Sequence, residues 1–160
     1  MVKNQSELIN NPDYRPNVGI MLVNNDRQIL AGEAFHYRQD WMMPQGGIDP
    51  GETTLEAMHR ELFEETSLLP EQTRLVREHD KWLSYQFREP IEKEGILYKG
   101  QRQKWFLLEY NGPLPDATKT QDREFTHFEW VTPQWLIDHT TPFKAEVYKT
   151  IFAEFDILSL

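Results

Sequence analysis

Residues 46–68 read GGIDPGETTLEAMHRELFEETSL, a loop rich in glycine and proline followed by a helical pattern loaded with acidic residues. Glycine allows backbone conformations that other residues avoid, and proline fixes its own φ, so this loop can bring carbonyl oxygens close to an ion or a phosphate. Thr53 and Glu56 have the spacing of a capping box, which predicts that the helix begins here. The rest of the chain is organised around this loop and helix.

The predicted helix carries an apolar stripe and, beside it, a row of carboxylates. Glu61, Glu64 and Glu65 stand at i, i+3 and i+4, which places their side chains on one face. Like charges at this spacing repel, and a hard divalent cation such as Mg²⁺ would relieve the repulsion; the alternative is an ordinary solvated acidic face. Arg60 precedes Glu64 by four residues and can orient its carboxylate. Apolar residues at helical spacing predict the buried stripe: Leu55, Met58, Leu62 and Leu69.

Length and composition bound the class of protein. The chain has 160 residues, no cysteine and a formal net charge of −9. We expect a flexible N-terminal tail over 1–13 and a single domain over 14–160, without disulfides, thiolate metal sites or a cysteine nucleophile. No signal peptide or membrane-spanning run is visible, so we expect a cytoplasmic protein with no membrane partner. The acidic balance disfavours binding to a DNA duplex, but a few local basic side chains could hold one phosphorylated end.

The remaining pattern predicts strands on both sides of the helix and two helices at the end of the chain. Residues 89–100 are predicted to form a long mobile loop, and 111–124 a surface loop. Proline after threonine at 132–133 and 141–142 predicts the start of each late helix. Together these elements predict an α/β (α+β) fold, a curved mixed sheet between helical layers. Strands are expected over 17–23, 28–32, 74–79, 82–88, 104–110 and 125–131.

The loop and the helix together resemble the Nudix box, whose positions have fixed spacing. The resemblance implies the Nudix-type α/β/α sandwich. One position departs, because the family expects glycine where this chain has Ser67, which would end the helix in a left-handed turn at a cost of about 1 kcal/mol. Ser67 lies past the carboxylates, so we expect intact chemistry. The matching positions are Gly46, Glu52, Arg60, Glu61, Leu62, Glu64, Glu65 and Leu68.

The resemblance extends beyond the box, to bacterial RNA pyrophosphohydrolases, which share much with dinucleoside polyphosphate hydrolases. It runs over roughly residues 14–155 and is carried by the segments 14–20, 41–47, 60–65, 100–106 and 142–144. The resemblance implies that divalent cations, Mg²⁺ or Mn²⁺, are held by carboxylates and by the backbone carbonyl of Gly46 or its neighbour Gly47. The carboxylates implied are Glu61, Glu64, Glu65 and Glu124.

The implied reaction is attack of water on a phosphoanhydride, most directly the removal of pyrophosphate from the 5′-triphosphate end of RNA. Divalent cations neutralise the polyphosphate and lower the pKa of the attacking water. A carboxylate near that water removes its proton, and either Glu64 or Glu124 could serve as this base. Arg60 would assist by orienting Glu64.

Five side chains are candidates for substrate binding. Lys104 and Lys144 could contact phosphates, although Lys104 could equally be a solvent-facing strand residue. Arg15 is a phosphate contact through the resemblance alone, and a surface charge otherwise. Phe143 and Tyr85 could stack on a base, as aromatic side chains do for unpaired bases, or pack in the core.

The sequence differs from related enzymes at one place that affects which substrate we expect. Related enzymes carry basic residues at the end of the second strand, where this chain has Glu33-Ala34, and nearby Arg38 could substitute. Two alternatives to an RNA-directed enzyme therefore stay open. One is a hydrolase of dinucleoside polyphosphates, such as diadenosine tetraphosphate, or of free nucleotides. The other is a Nudix-like module that binds a nucleotide without hydrolysing it, which the intact glutamates argue against.

Overall fold

The computed structural model describes residues 11–36 and 39–156, so most of the expected tail over 1–13, and Arg38, lie outside the described residues. The described chain forms one mixed sheet and three α-helices, α1 (Thr54–Thr66), α2 (Pro133–His139) and α3 (Pro142–Phe155). No helix in these two ranges is long and apolar enough to cross a membrane. The strands are β1 (Tyr14–Val23), β2 (Ile29–Ala34), β3 (Trp41–Met42), β4 (Gln45–Gly47), β5 (Arg74–Glu78), β6 (Leu83–Lys93), β7 (Ile96–Glu109) and β8 (Phe125–Val131).

Strand β1 is the centre of the sheet. It runs parallel to β7 along its whole length, from Tyr14 opposite Gly100 to Val23 opposite Glu109. On its other side it pairs antiparallel with β4 near its beginning and with β2 at its end. The order β3-β2-β1-β7-β5, with β8 on β2 and β6 on β7, makes the sheet mixed, as predicted. The pairing with β4 holds the glycine loop against the first half of β1.

Helices cover both faces of this sheet. Alternate side chains of a strand point to opposite faces, so Ile20 and Leu22 of β1 pack with the α1 residues Met58 and Leu62. Met21 lies on the other face, in a cluster that includes residues of α2 and α3. This arrangement confirms the predicted α/β/α sandwich.

Both ends of α1 form as the sequence predicts. Thr53 and Glu56 make the reciprocal hydrogen bonds of a capping box. At the other end, Ser67 adopts φ 65°, and its amide donates to the carbonyl of Phe63. The chain therefore accepts a left-handed residue with a β-carbon at this position, which costs about 1 kcal/mol relative to glycine.

The predicted apolar stripe of α1 is wrong at both ends. Leu55 and Leu69 are 41% and 43% exposed. Leu55 lies in the first helical turn and Leu69 lies beyond the last one, so neither faces the sheet. The buried face instead combines three apolar residues with two carboxylates: Ala57, Met58, Leu62, Glu61 and Glu65.

The predicted mobile loop over 89–100 is also wrong, because β6 and β7 continue through it as a hairpin. The two strands are joined at Glu94 and Gly95, with φ of 51° and 81°. Positive φ at both central residues matches the tight turn whose twist suits a hairpin. Proline and mixed charge suggested a loop, but Pro90 lies where the pairing of β6 with β7 is interrupted, so its missing amide proton costs no ladder hydrogen bond. The predicted surface loop over 111–124 is confirmed and contains a short 3-10 turn, Ala117–Lys119.

Candidate active site

A cavity of about 950 Å³ lies beside the glycine loop. Gly46 and Gly47 of β4, which is paired with the first half of β1, line it. One wall is acidic, made by α1 and the loop before β8, and the other is basic and aromatic, made by β1, β6 and the start of α3. The predicted site residues on these surfaces are Arg15, Gly46, Glu61, Glu65, Tyr85, Glu124, Phe143 and Lys144.

The acidic wall contains two carboxylates that α1 holds out of water. Glu61 and Glu65 are 9% and 5% exposed. Burial raises the pKa of Glu61 to about 7, although its hydrogen bond from Arg60 opposes the rise. Burial, and then repulsion from Glu61 and Glu124, raises the pKa of Glu65 well above its usual range. Glu61, Glu65 and Glu124, which the sequence predicted as metal ligands, therefore repel one another in the structure.

Glycine at position 46 is required by the position of Glu61. A β-carbon on Gly46 would overlap the Glu61 carboxyl group. On the adjacent residue, the backbone amide of Gln45 donates to Oε2 of Glu65 at 3.2 Å. The loop and the helix face are therefore packed together through the carboxylates themselves.

Arg60 links the glycine loop to the glutamates of α1 through hydrogen bonds. Its guanidinium donates to both oxygens of Glu52, at 2.6 and 2.9 Å, and to the carbonyl of Gly47 at 2.7 Å. The remaining nitrogen contacts Glu61 at 2.9 Å and Glu64 at 3.1 Å. These bonds lower the pKa of Glu52 and raise that of Arg60. The predicted orientation of Glu64 by Arg60 is thus seen in the structure, and it extends to Glu61.

The donor set fits a hard divalent cation. Oxygen ligands with two buried carboxylates among them are what Mg²⁺ or Mn²⁺ would require, and a cation would offset the repulsion at Glu65. Among the described residues, no group of three acidic or histidine side chains is already assembled as a metal cage. Arg60 bonds to one oxygen of Glu61 and one of Glu64, which leaves the second oxygen of each for a cation.

Arg15 and Lys144 supply positive charge to the cavity. The guanidinium of Arg15 lies so close to Gly47 that a β-carbon there would overlap it. Lys144 is buried, and its Nζ donates to Oδ2 of Asp40 at 3.2 Å. Burial lowers the pKa of Lys144, and the Asp40 carboxylate opposes this effect. Asp40 therefore neutralises part of the charge that Lys144 brings to the cavity.

The two predicted aromatic residues meet at this wall. The rings of Tyr85 and Phe143 are 5.3 Å apart at an angle of 32°. Tyr85 is buried and its hydroxyl accepts a hydrogen bond from Gln101, so it belongs to the core as well as to the cavity. Phe143 is only partly buried, which leaves ring surface towards the cavity.

Lys104 is the predicted substrate contact that the fold does not bring to the cavity. Its Nζ donates to the carbonyl of His79 at 2.6 Å and lies 3.9 Å from a carboxylate oxygen of Glu78. Because side chains alternate along a strand, Lys104 shares the α1 face of β7 with Phe106, whereas the cavity residue Gln101 is on the other face.

The departure at the end of β2 has a structural explanation. Glu33 accepts hydrogen bonds from the amide of Gln39 at 3.0 Å and from the hydroxyl of Thr126 at 3.1 Å, and so anchors the following loop. Ala34, rather than Glu33, lines the cavity. This end of β2 therefore presents an uncharged side chain to the cavity.

Sequence reasoning missed Asp40 and Asp122. Asp122 lines the cavity and is one of the groups whose repulsion raises the pKa of Glu65. A local signal for it existed, since Asp122 and Glu124 alternate in one short polar segment. No local signal marks Asp40, because its partner Lys144 is distant in the sequence.

Comparison with known proteins identifies the class. The NUDIX domain family matches residues 13–151, and the chain belongs to that family. It is a Nudix hydrolase, similar to proteins known as RNA pyrophosphohydrolases. One from Psychrobacter sp. (strain PRwf-1) is 38% identical over 151 residues, covering 92% of this chain and 87% of the relative. Another, from Francisella tularensis subsp. mediasiatica (strain FSC147), is 37% identical over 155 residues, covering 92% and 99%.

The fold is shared more widely than the sequence. A crystal structure of a C. elegans Ap4A hydrolase binary complex superposes with a TM-score of 0.64 at 20% identity, over 89% of this chain and 98% of that one. The likeness confirms the Nudix sandwich.

Proposed function

We propose that this protein hydrolyses phosphoanhydride bonds in nucleotides, and that its substrate is the 5′-triphosphate end of RNA, from which it removes pyrophosphate. The observation that carries the proposal is the buried pair Glu61 and Glu65, which lines the same cavity as Arg15. Carboxylates with raised pKa values in a cleft are typical of a catalytic site, and the basic wall suits a polyphosphate. The names of the relatives support RNA as the substrate. Such a substrate implies a cytoplasmic location.

A divalent cation, Mg²⁺ or Mn²⁺, would be held by Glu61, Glu64, Glu65 and Glu124, with the carbonyl of Gly46 as a further ligand. When bound, the cation supplies charge neutralisation for the polyphosphate and increases the acidity of water. Arg60 positions Glu61 and Glu64 without touching the substrate.

The chain's own residues divide the remaining tasks. Arg15 and Lys144 bind substrate phosphates, and Phe143 stacks on a base beside Tyr85. The proton of the attacking water passes to a carboxylate, for which Glu64 and Glu124 are the two candidates. Glu124 lines the cavity, whereas Glu64 is bonded to Arg60. This placement favours Glu124.

The two candidates for the base are separated by pH–rate profiles of Glu124→Gln and Glu64→Gln at saturating Mg²⁺. Loss of the base removes the acidic limb of the kcat profile and lowers kcat by about 10²–10⁴. Loss of a cation ligand instead raises the Mg²⁺ concentration needed for half-maximal rate. We expect the first result for Glu124→Gln and the second for Glu64→Gln. The reverse pattern would transfer the role of base to Glu64.

A dinucleoside polyphosphate or a free nucleotide is the second candidate substrate. The observation that favours it is that the uncharged Ala34 lines the cavity at the end of β2, where the resemblance implies a basic residue that reaches towards the substrate phosphates. Product release from triphosphorylated RNA, diadenosine tetraphosphate and a panel of nucleoside triphosphates, each with Mg²⁺ and with EDTA, decides between them. We expect the highest kcat/KM for RNA. Higher kcat/KM for another substrate would overturn the RNA assignment, and binding without turnover of any would indicate a non-catalytic module.

A further inference from the structure

The distal part of the β6–β7 hairpin, residues 87–98, adjoins the cavity through its β6 strand; we call it the arm. The pairing register of the hairpin shifts at its base, where β6 runs from Gln86 to Ile91 while β7 runs only from Gly100 to Tyr98. The extra residues of β6, 87–90, form a bulge, and all of them line the cavity. Bulges next to active sites characteristically redirect side chains. Here the bulge turns Arg88 towards the site.

One face of the arm continues the cavity wall outward. Beyond the bulge, Ile91 and Lys93 line the cavity. Ile91 is 41% exposed. The cavity side of the arm thus combines the apolar Ile91 with the basic Arg88 and Lys93.

The positive charges of the arm are available to a ligand. Neither Arg88 nor Lys93 forms an ion pair with another residue in 11–36 or 39–156. By contrast, Lys144 is paired with Asp40. Unpaired basic side chains beside an apolar surface are the combination that single-stranded nucleic acid binds, through its phosphates and its base faces.

We propose that the arm binds the single-stranded RNA that follows the reacting 5′ end. Arg88 and Lys93 contact backbone phosphates, while Ile91 provides apolar surface for the bases. The inference rests on the proposed function and extends it from the terminal phosphates to the downstream nucleotides. It also gives this chain a source of positive charge that Ala34 does not provide.

The arm carries basic and acidic residues side by side, so neutralising each should change RNA binding in opposite directions. Glu89 lies in the same bulge and also lines the cavity, so its carboxylate should repel the RNA backbone. We therefore compare Arg88→Gln and Lys93→Gln with Glu89→Gln. The matched control is Lys99→Gln, a lysine of the same hairpin that does not line the cavity and pairs with Asp13 at 3.4 Å.

Two measurements are made on each variant. The first is kcat/KM for a short triphosphorylated oligonucleotide, divided by kcat/KM for a nucleoside triphosphate. The second is binding of a 5′-hydroxyl oligonucleotide in EDTA, by fluorescence anisotropy, over a range of salt concentrations. Melting temperatures verify that each variant is folded.

We expect Arg88→Gln and Lys93→Gln each to lower the ratio about three- to tenfold, and Glu89→Gln to raise it about twofold. Each lost phosphate contact should also reduce the slope of log affinity against log salt by about 0.7. Lys99→Gln should match the wild type. If all three arm variants lower the ratio alike, or none changes the ratio or the anisotropy, the arm does not bind RNA.

The experiment also distinguishes failure of the proposed hydrolytic function from failure of RNA binding by the arm. If the hydrolytic function is absent, the wild type would not hydrolyse the triphosphorylated oligonucleotide, whatever its affinity for the 5′-hydroxyl oligonucleotide. The anisotropy series would still decide whether the arm binds RNA, because it requires neither a cation nor turnover.

Discussion

The carboxyl group of Glu61 lies against the backbone of Gly46, with no room for a β-carbon between them. Gly46 belongs to β4, which is paired with β1, and Glu61 belongs to α1. Together with the hydrogen bonds from Gln45 to Glu65 and from Arg60 to Gly47, this contact fixes the distance between the glycine loop and the acidic face of the helix. The chemistry that we propose for this site depends on that distance.

Replacing Gly46 with alanine should disrupt the site without unfolding the protein. The new β-carbon would displace the Glu61 carboxylate, so we expect kcat/KM to fall about 10- to 100-fold, as when the support of a metal ligand is lost. The control is Gly51→Ala, because Gly51 has φ +83° but open space around it. That variant should lose about 1 kcal/mol of stability and keep its activity. Equal activities for the two variants would contradict the role assigned to Gly46.

Glu65→Gln should separate cation binding from folding. Glu65 is buried and is repelled by other carboxylates, so the uncharged amide should leave the metal-free melting temperature unchanged or raise it. Wild-type protein should gain about 2.7 kcal/mol of stability at Mg²⁺ concentrations of about 100 Kd, and the variant should lose most of this gain together with its activity. Thermal melts with Mg²⁺ and with EDTA measure both. The exposed Glu71→Gln is the control and should behave as wild type.

The stability of the metal-free protein should fall as pH rises. The pKa of Glu61 is about 7 in the folded protein against 4.5 as the reference, because the carboxyl group is buried. Between these values the folded state holds more protons than the unfolded state, so stability present at low pH is lost as pH increases through about 7. We expect a loss of about 1–3 kcal/mol in urea unfolding with EDTA. Glu61→Gln should reduce this dependence and leave the part that Glu65 contributes, and a wild-type profile that rises over the window would refute the prediction.

Arg60→Lys should impair activity although it preserves charge. Lysine lacks the planar fork that lets Arg60 hold Glu52, Glu61 and Glu64 at once. We expect kcat/KM to fall about 10- to 100-fold, with a higher Mg²⁺ requirement, because the carboxylates lose their support. Arg74→Lys is the matched control, since Arg74 forms an exposed pair with Glu109 on the surface. Normal Mg²⁺ dependence of Arg60→Lys would show that the carboxylates are held by other means.

The spacing of residues along the sequence was enough to predict those parts of the site that lie on a single helix. The i, i+3, i+4 spacing of Glu61, Glu64 and Glu65 and the capping box at Thr53 are properties of a single helix, so they could be predicted without knowing the fold. The left-handed conformation of Ser67 was instead predicted from the resemblance to the Nudix box, whose pattern has glycine there.

What the sequence by itself determined is therefore the box and the class of fold, whereas the tertiary structure decided which other residues meet it. Lys104 and Lys144 were equal candidates, yet strand alternation turns Lys104 towards α1, while α3 carries Lys144 to the cavity. Pro90 and mixed charge predict a loop over 89–100, whereas the structure has a hairpin there. The pairing of β6 with β7 stabilises that hairpin, and the local sequence does not show this pairing. Helical spacing is set by hydrogen bonds within one segment, but a cavity is set by packing between segments distant in sequence, and only the folded chain specifies that packing.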